Sequence, residues 1–345
     1  MMPAPSSDPW TIQRANAARA DALATFGFTD RQARFLVQVL LHAGVFVPRQ
    51  YCQFAGIAHG QKSADFLAKL VERRCATPIT TGALHRGRLF HVHYKPLWAA
   101  VGEPDSRFRK PAALGRLLER VMVLDAVLAD PAYVWLGPAQ DKLRHFTAEQ
   151  ADRLRPDEYP HLTFGDGAAK VVRYFPDRLP IGVQPYAPPH VLLYLVTRPS
   201  PVDFRAFLIR HTILLGAFRQ WTVRLLFPSP LAKAQAAYRQ AAREHLATRL
   251  APSAADEVRW YFAERRRLSG TAATTPDRRF REAAKTFSSP YFSALYRAWL
   301  VAGDAAIWVA QSVAVPDAVS RDDGHVECVV LARQYMHLAP LVSFA

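Results

Sequence analysis

The sequence predicts a mixed α/β (α+β) fold, and three features support that fold class. Apolar residues recur at helical spacing through most of residues 28–74. The segment 88–94 instead alternates apolar and polar residues, the pattern of a half-buried strand. Two apolar segments, "HVLLYLVTR" at 190–198 and "WTVRLLFP" at 221–228, are typical of buried strands and flank a helix expected at 202–218. Both kinds of element are therefore expected.

The chain is strongly basic, which favours an anionic partner. Its 345 residues include 44 lysines and arginines against 29 aspartates and glutamates, a net charge of +15. Such an excess attracts polyanions, and arginine, which supplies most of it, suits bidentate contacts with phosphate and guanine. A GC-rich genome also produces an Ala- and Arg-rich composition, so charge alone does not assign nucleic-acid binding.

The sequence favours a cytoplasmic protein with no membrane partner. The longest apolar runs, such as "VLLYLV" at 191–196, are too short to cross a bilayer, and the first residues lack the basic and apolar regions of a secretory signal. The three cysteines, Cys52, Cys75 and Cys328, have no metal-ligand spacing and form no even set. Reduced thiols are therefore expected.

The order of elements in residues 28–101 predicts a winged helix-turn-helix. Thr29 and Gln32 have the spacing of a capping box, and Pro48 stands where a first-turn proline starts a second helix. A third amphipathic helix covers 59–74, and two strands joined by a polar turn follow it. In such a module the third helix enters the major groove, and the hairpin reaches an adjacent groove or the phosphates.

The predicted DNA contacts lie on the outer side of the third helix and at the hairpin tip. Amides, a hydroxyl and cations there offer hydrogen bonds to base edges and phosphates. The predicted DNA-binding residues are Arg49, Gln61, Lys62, Ser63, Lys69, Arg73, Arg74, His85, Arg86 and Arg88. Their partner is double-stranded DNA, which a homodimer would bind at paired half-sites. The alternative is a module that contacts protein, as a non-enzymatic component of a nucleoprotein complex.

The predicted 28–101 unit is preceded by a tail and a helix in residues 1–27, and three further segments follow it. Residues 102–113 carry Gly, two prolines and several cations, and predict a linker. Residues 114–228 predict a compact α/β unit in the order helix, antiparallel strands, helix, strand. Residues 229–345 predict a mainly helical region for dimerisation, or for contact with a recombinase or replication protein.

The 114–228 unit resembles the restriction-endonuclease-like fold of the PD-(D/E)xK family. The resemblance rests on "FPDRLP" at 175–180, followed by the strand "VLLYLV" and a returning helix. It implies that Asp177 would bind a divalent metal, together with an acid-x-Lys pair on the next strand. That strand has neither the carboxylate nor the lysine, so we expect an inactive domain and no enzyme. The alternative is a divalent-metal DNA nuclease that uses Asp177 and Glu119.

A winged helix followed by such a domain resembles the replication-relaxation family of plasmid and mobile-element proteins. The resemblance covers residues 28–228 and rests on "FTDRQARFLVQVLLHAGVFVPRQ", "LAKLVERRCATPI" and "RGRLFHVHYKPL". It implies sequence-specific DNA binding in a bacterial plasmid or mobile element, in transcription regulation, replication or recombination. It implies no catalytic residue and no cofactor.

Histidines near the hairpin raise the question of a metal site. His85, His91 and His93 are close in sequence, and Cys75 is the nearest sulfur. A zinc site needs further ligands, and polar histidines on the open face of a hairpin need no metal, so none is expected. Two further histidines, expected to pack or to cap elements, are His190 and His211.

Overall fold

The computed structural model confirms a mixed fold of helices and strands. It describes residues 9–79, 88–150, 152–165, 169–184, 187–269, 277–333 and 335. Its helices are α1 (Pro9–Ala24), α2 (Asp30–His42), α3 (Pro48–Ala55), α4 (Gln61–Glu72), α5 (Lys95–Ala100), α6 (Leu114–Ala129), α7 (Ala139–Glu149), α8 (Val202–Ala217), α9 (Gln235–Leu246), α10 (Pro252–Ser269), α11 (Arg278–Thr286), α12 (Pro290–Ala302), α13 (Ala305–Gln311) and α14 (Ala314–Ser320). Its strands are β1 (Val45–Phe46), β2 (Ala76–Ile79), β3 (Leu89–Val92), β4 (Val134–Leu136), β5 (His161–Phe164), β6 (Val171–Tyr174), β7 (Ile181–Gln184), β8 (Ala187–Leu195), β9 (Trp221–Phe227) and β10 (Gly324–Val330).

The N-terminal unit packs α2, α3 and α4 against a small sheet. The sheet has the order β1-β3-β2, and both pairings are antiparallel. Aromatic rings join the layers: the ring centroids of Phe35 and Phe46 are 5.1 Å apart, and those of Tyr51 and Phe66 are 4.2 Å apart. These contacts fix α4 relative to α2, α3 and β1.

Local sequence signals begin and end these helices. The predicted capping box is confirmed, since the Thr29 hydroxyl accepts from the Gln32 backbone and the Gln32 side chain accepts from the Thr29 backbone. Pro48 is the first residue of α3, as predicted. The chain leaves α2 through Gly44, where φ is +69° and an added Cβ would lie 2.6 Å from the carbonyl oxygen of Phe108. Only glycine fits this left-handed and crowded position.

Strand β3 is buried along its whole length, so the prediction of a half-buried strand is wrong. His91, expected on the open face, is buried and its Nε2 lies 3.0 Å from the carbonyl oxygen of Phe108. Phe108 belongs to a short 3-10 turn, Arg107–Arg109, in the segment expected to be a linker. This part of the segment covers the small sheet, and burial lowers the pKa of His91.

A five-stranded sheet forms the centre of the molecule in the order β10-β9-β8-β7-β4. β4, β7 and β8 are antiparallel neighbours, whereas β8, β9 and β10 are parallel. Helix α8 makes the crossover between β8 and β9. The sheet thus extends beyond residue 228, because a strand from the C-terminal region adds to its edge.

The central sheet is covered on both faces. Val191, Leu193 and Leu195 of β8 join one hydrophobic core with α6 and the N-terminal unit. The alternate residues Leu192 and Tyr194 join a second core with α8 and α9. A third, smaller core holds α10 to α13 together. The N-terminal unit and the central sheet therefore share a continuous apolar core.

None of the helices in the described ranges is long and apolar enough to cross a membrane.

Candidate nucleic-acid interface

Helix α4 has one buried side and one exposed side. Phe66 and Leu70 are buried against the N-terminal core. Gln61, Lys62 and Asp65 are exposed, as are the small residues Ala64 and Ala68 between them. The main neighbours of α4 are α3 and β2, so within the described chain its polar side faces solvent.

Two groups on the exposed side are placed to meet a ligand. The Lys62 and Arg74 side chains are exposed and form no hydrogen bond or ion pair with any residue that the structure describes. Arg74 follows α4 with φ of +53°, which turns the chain sharply towards β2. The amide nitrogen of Gln61 donates to the carboxylate of Asp65 at 2.6 Å, so a base edge would compete with this contact.

Ser63 is buried, which corrects the expectation that it lies on the outer side of the helix. Its hydroxyl donates to the carbonyl oxygen of Gly60 at 2.7 Å and accepts from the backbone nitrogen of Gly60 at 3.1 Å. The hydroxyl thus closes the first turn of α4 in place of a side chain at Gly60. Its role is to start the helix, and it offers nothing to a base edge.

The Lys69 and Arg73 side chains point towards the loop between α1 and α2 and stabilise it. The Lys69 ammonium donates to the carbonyl oxygen of Gly27 at 3.2 Å, and the Arg73 guanidinium donates to that of Phe26. Both carbonyls follow the end of α1, where backbone acceptors lack helical partners. These cations already have structural partners, although both side chains stay partly exposed.

Arg49 is half-buried, and its guanidinium is turned towards α6. Its guanidinium makes a two-point ion pair with Asp125 of α6, with both N–O distances at 2.6 Å. The same carboxylate accepts from the side-chain amide of Gln50 at 3.0 Å and from the hydroxyl of Tyr335. The network joins α3 to α6 and to the C-terminal segment, so the Arg49 guanidinium already has a structural partner, and its DNA contact stays a prediction.

The hairpin tip is described only in part. Arg88 is exposed directly before β3. His85 and Arg86 lie outside the described residues. The hairpin contribution therefore stays a prediction for these two positions.

Four arginines come together beside Phe108, and the sequence interpretation did not connect them. The guanidinium carbons of Arg120 and Arg178 lie 4.9 Å and 5.7 Å from the centre of the Phe108 ring. Burial, and then Arg173 and Arg107, lower the pKa of Arg178 to about 10. We call Arg107, Arg120, Arg173 and Arg178 the arginine cluster. It forms no ion pair within the described chain, so its positive charge is available to an anion.

Only part of the arginine cluster could be recognised from the sequence. The basic run "RFRK" at 107–110 is visible in the sequence. Arg173 and Arg178 are more than sixty residues further on. Only the packing of the segment around β6 against the 3-10 turn brings them near Arg107.

The two carboxylates of the nuclease alternative are each engaged by an arginine. Both oxygens of Asp177 accept from Nη1 of Arg210, at 2.6 Å and 2.8 Å. Glu119 pairs with Arg116 one turn earlier on α6, at 2.7 Å. Neither carboxylate belongs to a group of three potential metal ligands among the described residues.

Comparisons with protein-family models, with curated proteins and with solved structures found no match to this chain.

Proposed function

We propose that this protein binds double-stranded DNA in a sequence-dependent way, with α4 in the major groove. The observation that carries the proposal is the exposed polar side of α4, with Lys62 and Arg74 free of partners in the described chain. The elements around it follow the order of a winged helix: α2, β1, α3, α4, β2 and β3, with the sheet order β1-β3-β2. In helix-turn-helix proteins this later helix presents its first residues to base edges.

The exposed side of α4 divides into two kinds of contact under this proposal. Gln61 at the start of the helix is the candidate for base recognition, because its amide both donates and accepts. Lys62 and Arg74 are candidates for phosphate contacts, which position the protein without reading sequence. Ala64 and Ala68 are small, so the helix backbone can approach the floor of the groove.

The central unit serves as a scaffold in this proposal. In chain order, α6 and β4 are followed, after α7, β5 and β6, by β7, β8, α8 and β9. The antiparallel strands β4, β7 and β8 and the parallel strand β9 support the nuclease-like interpretation. We assign it no cleavage, because Arg210 occupies both oxygens of Asp177 and β8 offers no acid-x-Lys pair. A role in a bacterial plasmid or mobile element, with a homodimer on paired half-sites, completes the proposal.

The proposal is tested by the salt dependence of DNA binding. Fluorescence anisotropy measures the affinity of the full chain for a labelled random-sequence duplex between about 50 and 200 mM salt. Each lost phosphate contact lowers the slope of log K against log salt by about 0.9. Lys62→Ala and Arg74→Ala are therefore each expected to weaken binding and to flatten this slope.

The matched control is Lys285→Ala, which removes an exposed lysine from α11. It is expected to leave affinity and slope at the wild-type values. Failure of the wild type to bind duplex DNA would refute the proposal. Equal slopes for the wild type, Lys62→Ala and Arg74→Ala would remove α4 from the interface.

A further inference from the structure

Three side chains from α7 and β8 converge on one point away from α4. His145 and Glu149 are one helical turn apart on α7, and His190 lies on β8. Oε2 of Glu149 is 3.2 Å from Nε2 of His145 and 3.1 Å from Nε2 of His190. The three atoms all lie within 4.8 Å of one another, and no second group of this kind occurs in the described chain.

The two N–O separations, which also suit hydrogen bonds, are compatible with ligands around one metal ion. Zinc binds imidazole nitrogen and carboxylate oxygen at about 2.0–2.2 Å, so two ligands at the tetrahedral angle are about 3.3–3.5 Å apart. The two N–O separations are within a few tenths of an ångström of that value. Small side-chain rotations would therefore seat an ion between the three groups.

His145 supplies an independent observation in favour of a ligand. Its side chain is only 4% exposed, and Nε2 is buried without a hydrogen-bond partner in spite of the nearby carboxylate. Most buried side-chain nitrogen and oxygen atoms are hydrogen-bonded, because an unpaired polar group in the interior is costly. A metal ion bound by this nitrogen would satisfy it.

The other two ligands are held in position by their surroundings. The His190 ring stacks on Phe218, with centroids 4.0 Å apart and planes 7° apart. The backbone nitrogen of His190 donates to the carbonyl oxygen of Gln220 at 3.1 Å. The carboxylate of Glu149 lies between the two imidazoles, and its Oε2 contacts both of them.

We propose that His145, Glu149 and His190 bind one divalent transition-metal ion, with zinc as the first candidate. Two imidazoles and one carboxylate suit zinc and its neighbours in the first transition row, whereas magnesium and calcium prefer oxygen ligands. Three protein ligands leave a coordination position for water or a substrate atom. Glu149 is 29% exposed, so solvent reaches the site from its side. The proposal does not depend on DNA binding.

The site can be tested with metal alone. Isothermal titration calorimetry measures zinc binding to the full chain after treatment with a chelator, and cobalt substitution reports the ligand geometry through visible absorption. One ion per chain is expected, and zinc should raise the thermal midpoint because it binds the folded state. Glu149→Gln keeps the size of the side chain and is expected to weaken zinc binding by about 100-fold or more, since even outer-shell changes cost about 10–100-fold.

Controls separate the site from other histidines and from misfolding. His59→Ala removes an exposed histidine before α4 and is expected to leave zinc affinity unchanged. His190→Ala is expected to abolish the cobalt spectrum while circular dichroism stays that of the wild type. The proposal is overturned if the folded wild type binds no zinc, or if Glu149→Gln and His190→Ala, both folded, bind zinc as the wild type does.

Discussion

The Arg49–Asp125 pair gives the sharpest prediction about the architecture. Asp125 is 9% exposed and accepts from Arg49 and Gln50 of α3 and from Tyr335 of the C-terminal segment. Asp125→Ala removes the common acceptor of Arg49 and Tyr335, while the side-chain amide of Gln50 keeps its hydrogen bond to the carbonyl oxygen of Val121. The contacts between α3, α6 and the C-terminal segment then lose the ion pair and hydrogen bonds that stabilise them.

The expected cost follows from the burial of the two charges. Removing one partner from a buried ion pair destabilises by about 3–5 kcal/mol. Arg49 is 31% exposed, so water recovers part of its solvation, and we expect a loss of about 2–4 kcal/mol in the free energy of unfolding. The double variant Arg49→Met with Asp125→Leu leaves no unpaired charge, so it should recover much of this loss.

The assay is urea unfolding followed by tryptophan fluorescence, in which the buried Trp98 reports on the N-terminal core. Asp125→Ala is expected to lower the unfolding midpoint, and the double variant to lie closer to the wild type. A change below about 0.5 kcal/mol for Asp125→Ala, the usual effect of a surface substitution, would refute the network. Arg49→Met should also leave the salt slope of DNA binding unchanged, because the Arg49 guanidinium is already paired with Asp125.

Three further predictions concern Lys142, the arginine cluster and Asp177. Lys142 is fully buried, and burial lowers its pKa from 10.5 to about 7, so between these values the unfolded chain binds a proton that the folded chain does not. The free energy of unfolding should therefore rise with pH across this window by up to about 1.4 kcal/mol per pH unit. Urea unfolding of Lys142→Met should lack that rise. Parallel pH profiles for the wild type and Lys142→Met would contradict this prediction. Arg173→Ala combined with Arg178→Ala should weaken binding of a duplex or another polyanion with a smaller salt slope if the arginine cluster contacts phosphates, and unchanged anisotropy would exclude the cluster. Plasmid nicking with magnesium or manganese should be absent from the wild type and from Asp177→Ala alike, and cleavage lost on that substitution would establish the nuclease alternative.

Sequence signals within one helical turn predicted where helices begin, whereas contacts between residues far apart in the chain were not predicted. The capping box at Thr29 and the first-turn proline at Pro48 act within one helical turn, so the sequence alone located them. Ser63 lies one turn from Gly60, yet its helical position did not reveal that its hydroxyl turns back to the helix start. The Arg49–Asp125 pair joins residues 76 positions apart, which no local pattern encodes.

The central sheet and the proposed metal ligands also depend on contacts between distant parts of the chain, which the sequence does not reveal. The parallel pairing of β10 with β9 joins residues such as Trp221 and Gly324, which are far apart along the chain. His145 and Glu149 have the i, i+4 spacing of helical ligands, a signal that the sequence interpretation left unused. The third member, His190, joins them only because β8 passes beside the end of α7.

The central claim is that the outer side of α4 faces duplex DNA, and site-specific photo-cross-linking tests it most directly. A photoreactive phenylalanine analogue replaces Ala64 on that side of α4, and in a control chain it replaces the exposed Ala247 after α9. Irradiation with a labelled duplex is expected to join DNA to position 64 and not to position 247. Adducts at neither position, or equally at both, would contradict the placement of α4 in the groove.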